Sequence, residues 1–202
     1  MFTMKALHFI ALALLVAGCA GRTGTSAMPK PGKGIEEYRE VARQAHRAVE
    51  SVVDSLEALG QGGLGRFDRD FEHLELTSVK ARARAEAIIA RGQGYFDEWK
   101  EQLAVATNKP AAQTNYDRMY EHFTRVRERS GEVREEFRPF MAKMRHFRAK
   151  LDHSTNSPSS ESSRVEIVTL AASGRRVLKT LDSVSMALNE AEVELHAMRN
   201  SK

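Results

Sequence analysis

Apolar residues recur along this chain at alternating three- and four-residue spacings, in four runs separated by polar or glycine-rich breaks. The first run is Ile35, Tyr38, Ala42, Ala45, Val49, Val52, Leu56 and Leu59. The second is Phe67, Phe71, Leu74, Ser78, Ala81, Ala85, Ile88, Gly92, Tyr95, Trp99 and Gln102, ending near Ala104. The third passes through Tyr116, Met119, Phe123, Val126, Ser130, Val133, Phe137, Phe140, Met144, Phe147 and Leu151. The fourth holds Ile167, Leu170, Gly174, Val177, Leu181, Val184, Leu188, Ala191, Leu195 and Met198. This spacing keeps the apolar residues on one face of a helix, so each run predicts a helix that meets other helices along a seam. The breaks are Gln61–Gly65, Asn108–Pro110 and the polar stretch His153–Ser160. Glu36 and Glu37 suit a helix start, Gly60 the C-cap of the first helix, and Ser163 with Glu166 a capping box opening the fourth.

Together the runs predict an all-α chain: an elongated antiparallel helical bundle or coiled coil of three long helices plus one shorter N-terminal helix. Roughly 40 residues per long helix correspond to about 60 Å, with the short helix lying along one half. A three-four repeat predicts crossing angles near 20° in a left-handed supercoil. Pro139 interrupts the third run and predicts a kink, because proline removes the hydrogen bond to the carbonyl of Glu135. The small residues Ala81, Ala85 and Gly92 predict a close approach of a neighbouring backbone, with a groove for a ligand as the alternative. A seam covered over only half its length predicts self-association or a protein partner.

The 13 glycines and 5 prolines of the 202 residues sit mostly before position 66, which excludes the many short turns of an all-β fold. The N-terminus follows a different logic. Lys5 precedes the apolar run Ala6–Val16, which is shorter than the ~20 residues of a spanning helix. Val16-Ala17-Gly18-Cys19 follows, and Cys19 is the single cysteine of the chain. Small residues before a cysteine behind such a run resemble the bacterial lipobox, which implies cleavage before Cys19 and acylation of it. Ala20 at the next position implies sorting to the outer membrane. The expected organisation is a signal peptide over 1–18, a lipidated flexible tether over 19–34 and a helical domain over 35–202. The protein is then held at the periplasmic leaflet of the outer membrane through its N-terminal lipid.

Gly94-Tyr95-Phe96-Asp97-Glu98-Trp99-Lys100-Glu101-Gln102-Leu103, with the Arg- and Met-rich helix through Pro139 and its Leu151-Asp152-His153 end, resembles a known family. It is the group of bacterial lipoproteins designated domain of unknown function 2959, and the resemblance covers roughly 78–198. It implies a helical coiled-coil envelope protein and implies no activity.

Catalytic chemistry is not evident. The seven histidines form no HExxH and no Glu-x-x-His pair, so neither a metal nor another cofactor is expected. Asp70 with His73 and Glu192 with His196 share helix faces but lie off the apolar runs, as solvated pairs do. His46, His122, His146 and His153 also lie off the runs. No nucleophile elbow or phosphate cradle exists, so no enzyme and no small-molecule substrate is expected. The many arginines of the third helix interleave with glutamates up to Glu136, which argues against nucleic acid. Arg138, Lys143, Arg145, Arg148 and Lys150 then follow with no acid before Asp152, a candidate face for anionic lipid headgroups or an acidic partner. Phe96 sits beside its run and is expected in the core or at its boundary. The leading expectation is a non-catalytic scaffold, spacer or partner-binding lipoprotein, and the alternative a membrane-surface module using that basic face. An enzyme or metal carrier stands a distant third.

Overall fold

The computed structural model describes residues 32–62, 66–153 and 161–200. The segment 1–18, Cys19, the tether to residue 31, positions 63–65 of the first turn and the loop 154–160 lie outside the described residues. Four helices account for nearly all of the rest, with no strand among the described residues. They are α1 (Gly34–Gly60), α2 (Phe67–Ala104), α3 (Lys109–His153) and α4 (Glu161–Asn200). At 27, 38, 45 and 40 residues they measure about 40, 57, 68 and 60 Å at the rise of an α-helix. The protein is an all-α helical bundle.

The apolar runs account for the helix bodies, whereas the ends differ from expectation in three places. Gly60 is the last residue of α1, with Gln61 as the C-cap, and it faces Ile167, where an added Cβ would stand 3.2 Å from the Ile167 Cγ2 atom. Among the described residues of the turn, Gly62 is left-handed, at φ 86°. The third helix begins well before Tyr116, at Lys109, with Pro110 in its first turn, where a missing N–H costs nothing. The fourth begins at Glu161, so Ser163 lies within the first turn instead of capping it, and the Glu166 carboxylate accepts from Lys150 at 3.1 Å. The third helix passes through Pro139 unbroken. Pro139 itself is exposed, while the next residue, Phe140, is fully buried.

Each helix packs on two others, α1 on α2 and α4, and α3 on the same two, with no close backbone approach between α1 and α3 or between α2 and α4. All ten residues of the fourth run are buried, which makes α4 the element on which the interior is built. At one end Val49, Val52, Leu56, Phe71, Phe140 and Phe147 form the largest core with Leu170 and Val177 of α4. Gly174 belongs there, since a Cβ would collide with Val53 and lie 3.3 Å from the Phe140 ring. A smaller core around Tyr38, Val126, Val184 and Leu188 occupies the middle.

Beyond the N-terminus of α1, Phe96, Trp99, Leu103, Met119, Leu195 and Met198 make the third core. Phe96 is buried at its centre, with the rings of Tyr95, Trp99, Tyr116, Tyr120 and Phe123 at centroid distances of 5.0–5.9 Å. An uncovered seam over this half, as the sequence predicted, is therefore not found. Large aromatic side chains close the three helices on one another where the first helix is missing.

Replacing Pro139 by Ala restores the N–H that the Glu135 carbonyl lacks within a continuous helix. The Pro139→Ala protein should be more stable than the parent by up to about 3 kcal/mol, less the ordering that proline imposes on the unfolded chain. Thermal unfolding of the two proteins in one buffer checks this. A lower midpoint for the variant would contradict the account of the third helix.

Candidate functional site: a cleft between the second and third helices

No residue of α2 between Leu74 and Phe96 is fully buried. Over the first part of that interval the apolar run consists of Ser78, Ala81 and Ala85, whose side chains are too short to span the gap to α3. The two helices meet on either side of it. Toward one end Arg145 and Arg148 of α3 reach Glu75 at 2.8 Å and Glu72 at 2.7 Å on α2. Toward the other, the Phe123 ring seats against Gly92, where a Cβ would fall 2.5 Å from the ring edge. Between these contacts a cleft of about 470 Å³ opens. Val41, Ala42, Ala45 and Val49 of α1 with Leu181 and Val184 of α4 line it from below, and Val133, Phe137 and Met141 line the α3 side. The small residues thus do two different things. Gly92 admits the Phe123 side chain closely, where a neighbouring backbone was expected, whereas Ala81 and Ala85 leave the groove that was the alternative to a tight contact.

One polar chain crosses the cleft. The Tyr38 hydroxyl lies 2.7 Å from Ser130 Oγ, and Ser130 donates to the Val126 carbonyl at 2.6 Å. The proton of Ser130 is committed to that carbonyl, so Tyr38 is the donor to Ser130. Burial raises the Tyr38 phenol above its ordinary pKa, against the opposing effects of Ser130 and of the Arg134 charge. At the rim Arg82 donates to Glu86 at 2.9 Å, and that bond holds the Glu86 carboxyl below its usual range. Arg134 and Arg138 also line the cleft and make no ion pair among the described residues. A second, smaller hollow of about 270 Å³ lies beyond Tyr38, among Ile35, Ile88, Gly92, Phe123 and Leu188.

The candidate basic face is divided by the fold. Arg145 is committed to Glu75, and Lys150 to Glu166. Arg148 engages Glu72, lies 3.3 Å from Asp68 and covers the Phe71 ring at 5.7 Å. Only Arg138 and Lys143 of the five are exposed without an ion pair among the described residues. The acids that neutralise the stretch come from α2 and α4, so the gap in acids along α3 could not reveal them.

The candidate lipidation residue Cys19 lies outside the described residues. His46 sits 3.3 Å from Asp182, His73 is bonded to Thr77, and Glu192 is committed to Arg39 at 2.6 Å, which holds its carboxyl below the usual range. His122 has a buried Nδ1 with no hydrogen-bond partner, and His146 is exposed. Among the described residues no three His, Asp or Glu side chains converge in a way that could hold a metal. None of the helices there is long and apolar enough to cross a membrane.

No family model matches the chain, and no curated protein or solved structure shows significant similarity to it.

The cleft residues Tyr38, Ser130, Arg134, Arg82 and Glu86 had no place among the candidate residues of the sequence. A signal for them was present, since Ser130 breaks an apolar run while the facing run carries only Ser78, Ala81 and Ala85 over two turns.

Buried phenols give the bundle an alkaline limit. Desolvation moves Tyr95 from 10.0 to about 12, and Tyr38 shifts the same way. Between these pH values the unfolded chain has lost phenolic protons that the folded chain keeps, so folding stability is complete below pH 10 and declines toward pH 12. Melting midpoints measured across that range should fall with pH, and Tyr95→Phe should reduce the fall. An unchanged slope in the variant would contradict the burial of this ring.

Proposed function

We propose that this protein is a non-catalytic lipoprotein of the bacterial outer membrane, carried by Cys19 on the periplasmic leaflet. Its role is that of a scaffold, spacer or partner-binding module. The observation that carries the proposal is the order of elements at the N-terminus. The apolar run Ala6–Val16 leads directly to Val16-Ala17-Gly18-Cys19, and the Gly-, Pro- and Lys-rich stretch Ala20–Lys33 precedes the first helix. Its resemblance to the lipoproteins of domain of unknown function 2959 agrees with this reading.

The folded part is proposed to be an elongated antiparallel bundle. Arg39 with Glu192 and Arg175 with Glu57 support opposite directions for α1 and α4. Arg118 with Glu194 and Lys150 with Glu166 do the same for α3 and α4. A rod of about 60 Å on a lipid tether suits reaching a partner away from the membrane surface. The alternative, a module that grips anionic headgroups through the basic stretch of α3, is the weaker reading. Arg145, Arg148 and Lys150 already engage carboxylates of the same chain, which leaves Arg138 and Lys143 to carry it.

Replacing Cys19 by Ser removes the acylated thiol and nothing from the bundle. The Cys19→Ser protein should leave the membrane fraction or stay uncleaved, with unchanged far-ultraviolet circular dichroism. Continued cleavage before residue 19 together with stable membrane attachment would overturn the proposal.

A further inference from the structure

The cleft between α2 and α3 has an apolar floor, a cationic rim and hydroxyls that are already hydrogen-bonded within the chain, and that combination selects a ligand. We propose that it is a binding site for one long-chain carboxylate, the alkyl chain lying along the floor and the head group held by Arg134 and Arg138.

Rim charge argues for the anion. Arg82 and Arg145 at the rim are engaged by Glu86 and Glu75, whereas Arg134 and Arg138 have no ion pair among the described residues. Their four-residue separation on α3 places both guanidinium groups on the same face. A planar carboxylate matches such donors, each guanidinium offering paired N–H groups.

Floor chemistry argues for the chain. Val41, Ala45, Val49, Leu181 and Val184 supply only methyl groups, and the hydroxyls that line the cleft are already engaged: Tyr38 with Ser130, Ser130 with the Val126 carbonyl, Ser78 with the Glu75 carbonyl and Thr77 with His73. The floor itself offers a sugar or nucleotide no free hydrogen-bonding group. The shape agrees, since the lining of α2 runs from Leu74 to Ile89, about 22 Å along the axis. The site rests on residues of the bundle alone, so its test does not depend on whether Cys19 is acylated.

The test is calorimetric titration of palmitate, below its aggregation concentration, into the full chain carrying Cys19→Ser. Acetate and hexadecan-1-ol serve as the head group and the chain alone. One palmitate should bind per chain, with acetate failing to bind and hexadecan-1-ol binding more weakly. Arg134→Gln with Arg138→Gln should weaken palmitate by about tenfold or more, at unchanged helicity, because both residues are exposed and charge-assisted hydrogen bonds are lost. Ala81→Leu with Ala85→Leu should fill the cleft and abolish binding. Should that filled variant not fold, the arginine pair decides alone. No binding of palmitate to the parent overturns the proposal. So does equal binding by the arginine variant or a folded filled variant, or equal affinity for acetate or hexadecan-1-ol.

Discussion

The interior of a helical bundle must be filled at every level along its axis, since protein cores tolerate few voids. Here the number of helices sharing that interior changes along the length. The C-terminal half of α1 lies with α2, α3 and α4 around one core, in which Val52, Leu56, Phe140, Met144 and Val177 are wholly buried. Past the start of α1 three helices remain, and the third core relies on Phe96, Trp99 and the tyrosines around them. The transition between these regimes is where filling fails. α1 still separates its two neighbours there, while α2 offers Ser78, Ala81 and Ala85 and α3 offers Ser130, so the cleft follows from side-chain volume.

Charge on the exterior serves mainly to hold the helices in register. Arg39–Glu192, Arg125–Glu190 and Arg118–Glu194 join α4 to α1 and α3, and Arg145–Glu75 and Arg148–Glu72 join α3 to α2. Most of these pairs have solvent access, so each contributes little to stability by itself. Arg148 contributes more than charge, because its guanidinium also lies over Phe71. Neutralisation of this kind lowers the appeal of the third helix as a binding face and leaves Arg134, Arg138 and Lys143, among the described residues, as the cations without an ion pair in its central part, from Gly131 to Met144.

Much of the fold was legible in the residue pattern because helix identity depends on local periodicity. The ten-residue run of α4 is buried throughout, and the run of α2 ends at Ala104 as its spacing implied. Helix ends were less legible because they depend on neighbours. Gly60 has the character of a cap yet is the last helical residue, packed against Ile167, while Gln61 is the cap and Gly62 takes the left-handed conformation. The site was least legible. A run of alanines is compatible with close packing or with a gap, and only the position of α1 between α2 and α4 decides which. The acids facing Arg145, Arg148 and Lys150 lie between 16 and 80 residues away in sequence, beyond any pattern along one helix.

Native-state hydrogen exchange along α2 tests this account most directly, because protection reports local burial and opening. An ordinary long helix frays, with protection greatest in the middle and falling toward both ends. The uneven filling of this bundle predicts the reverse. Amides around Phe71–Leu74 and Phe96–Leu103 should be the most protected, and those from Ser78 to Ala90 should exchange faster than either flank. Maximum protection between Ser78 and Ala90 would show that α2 packs tightly along its middle, and would contradict the cleft.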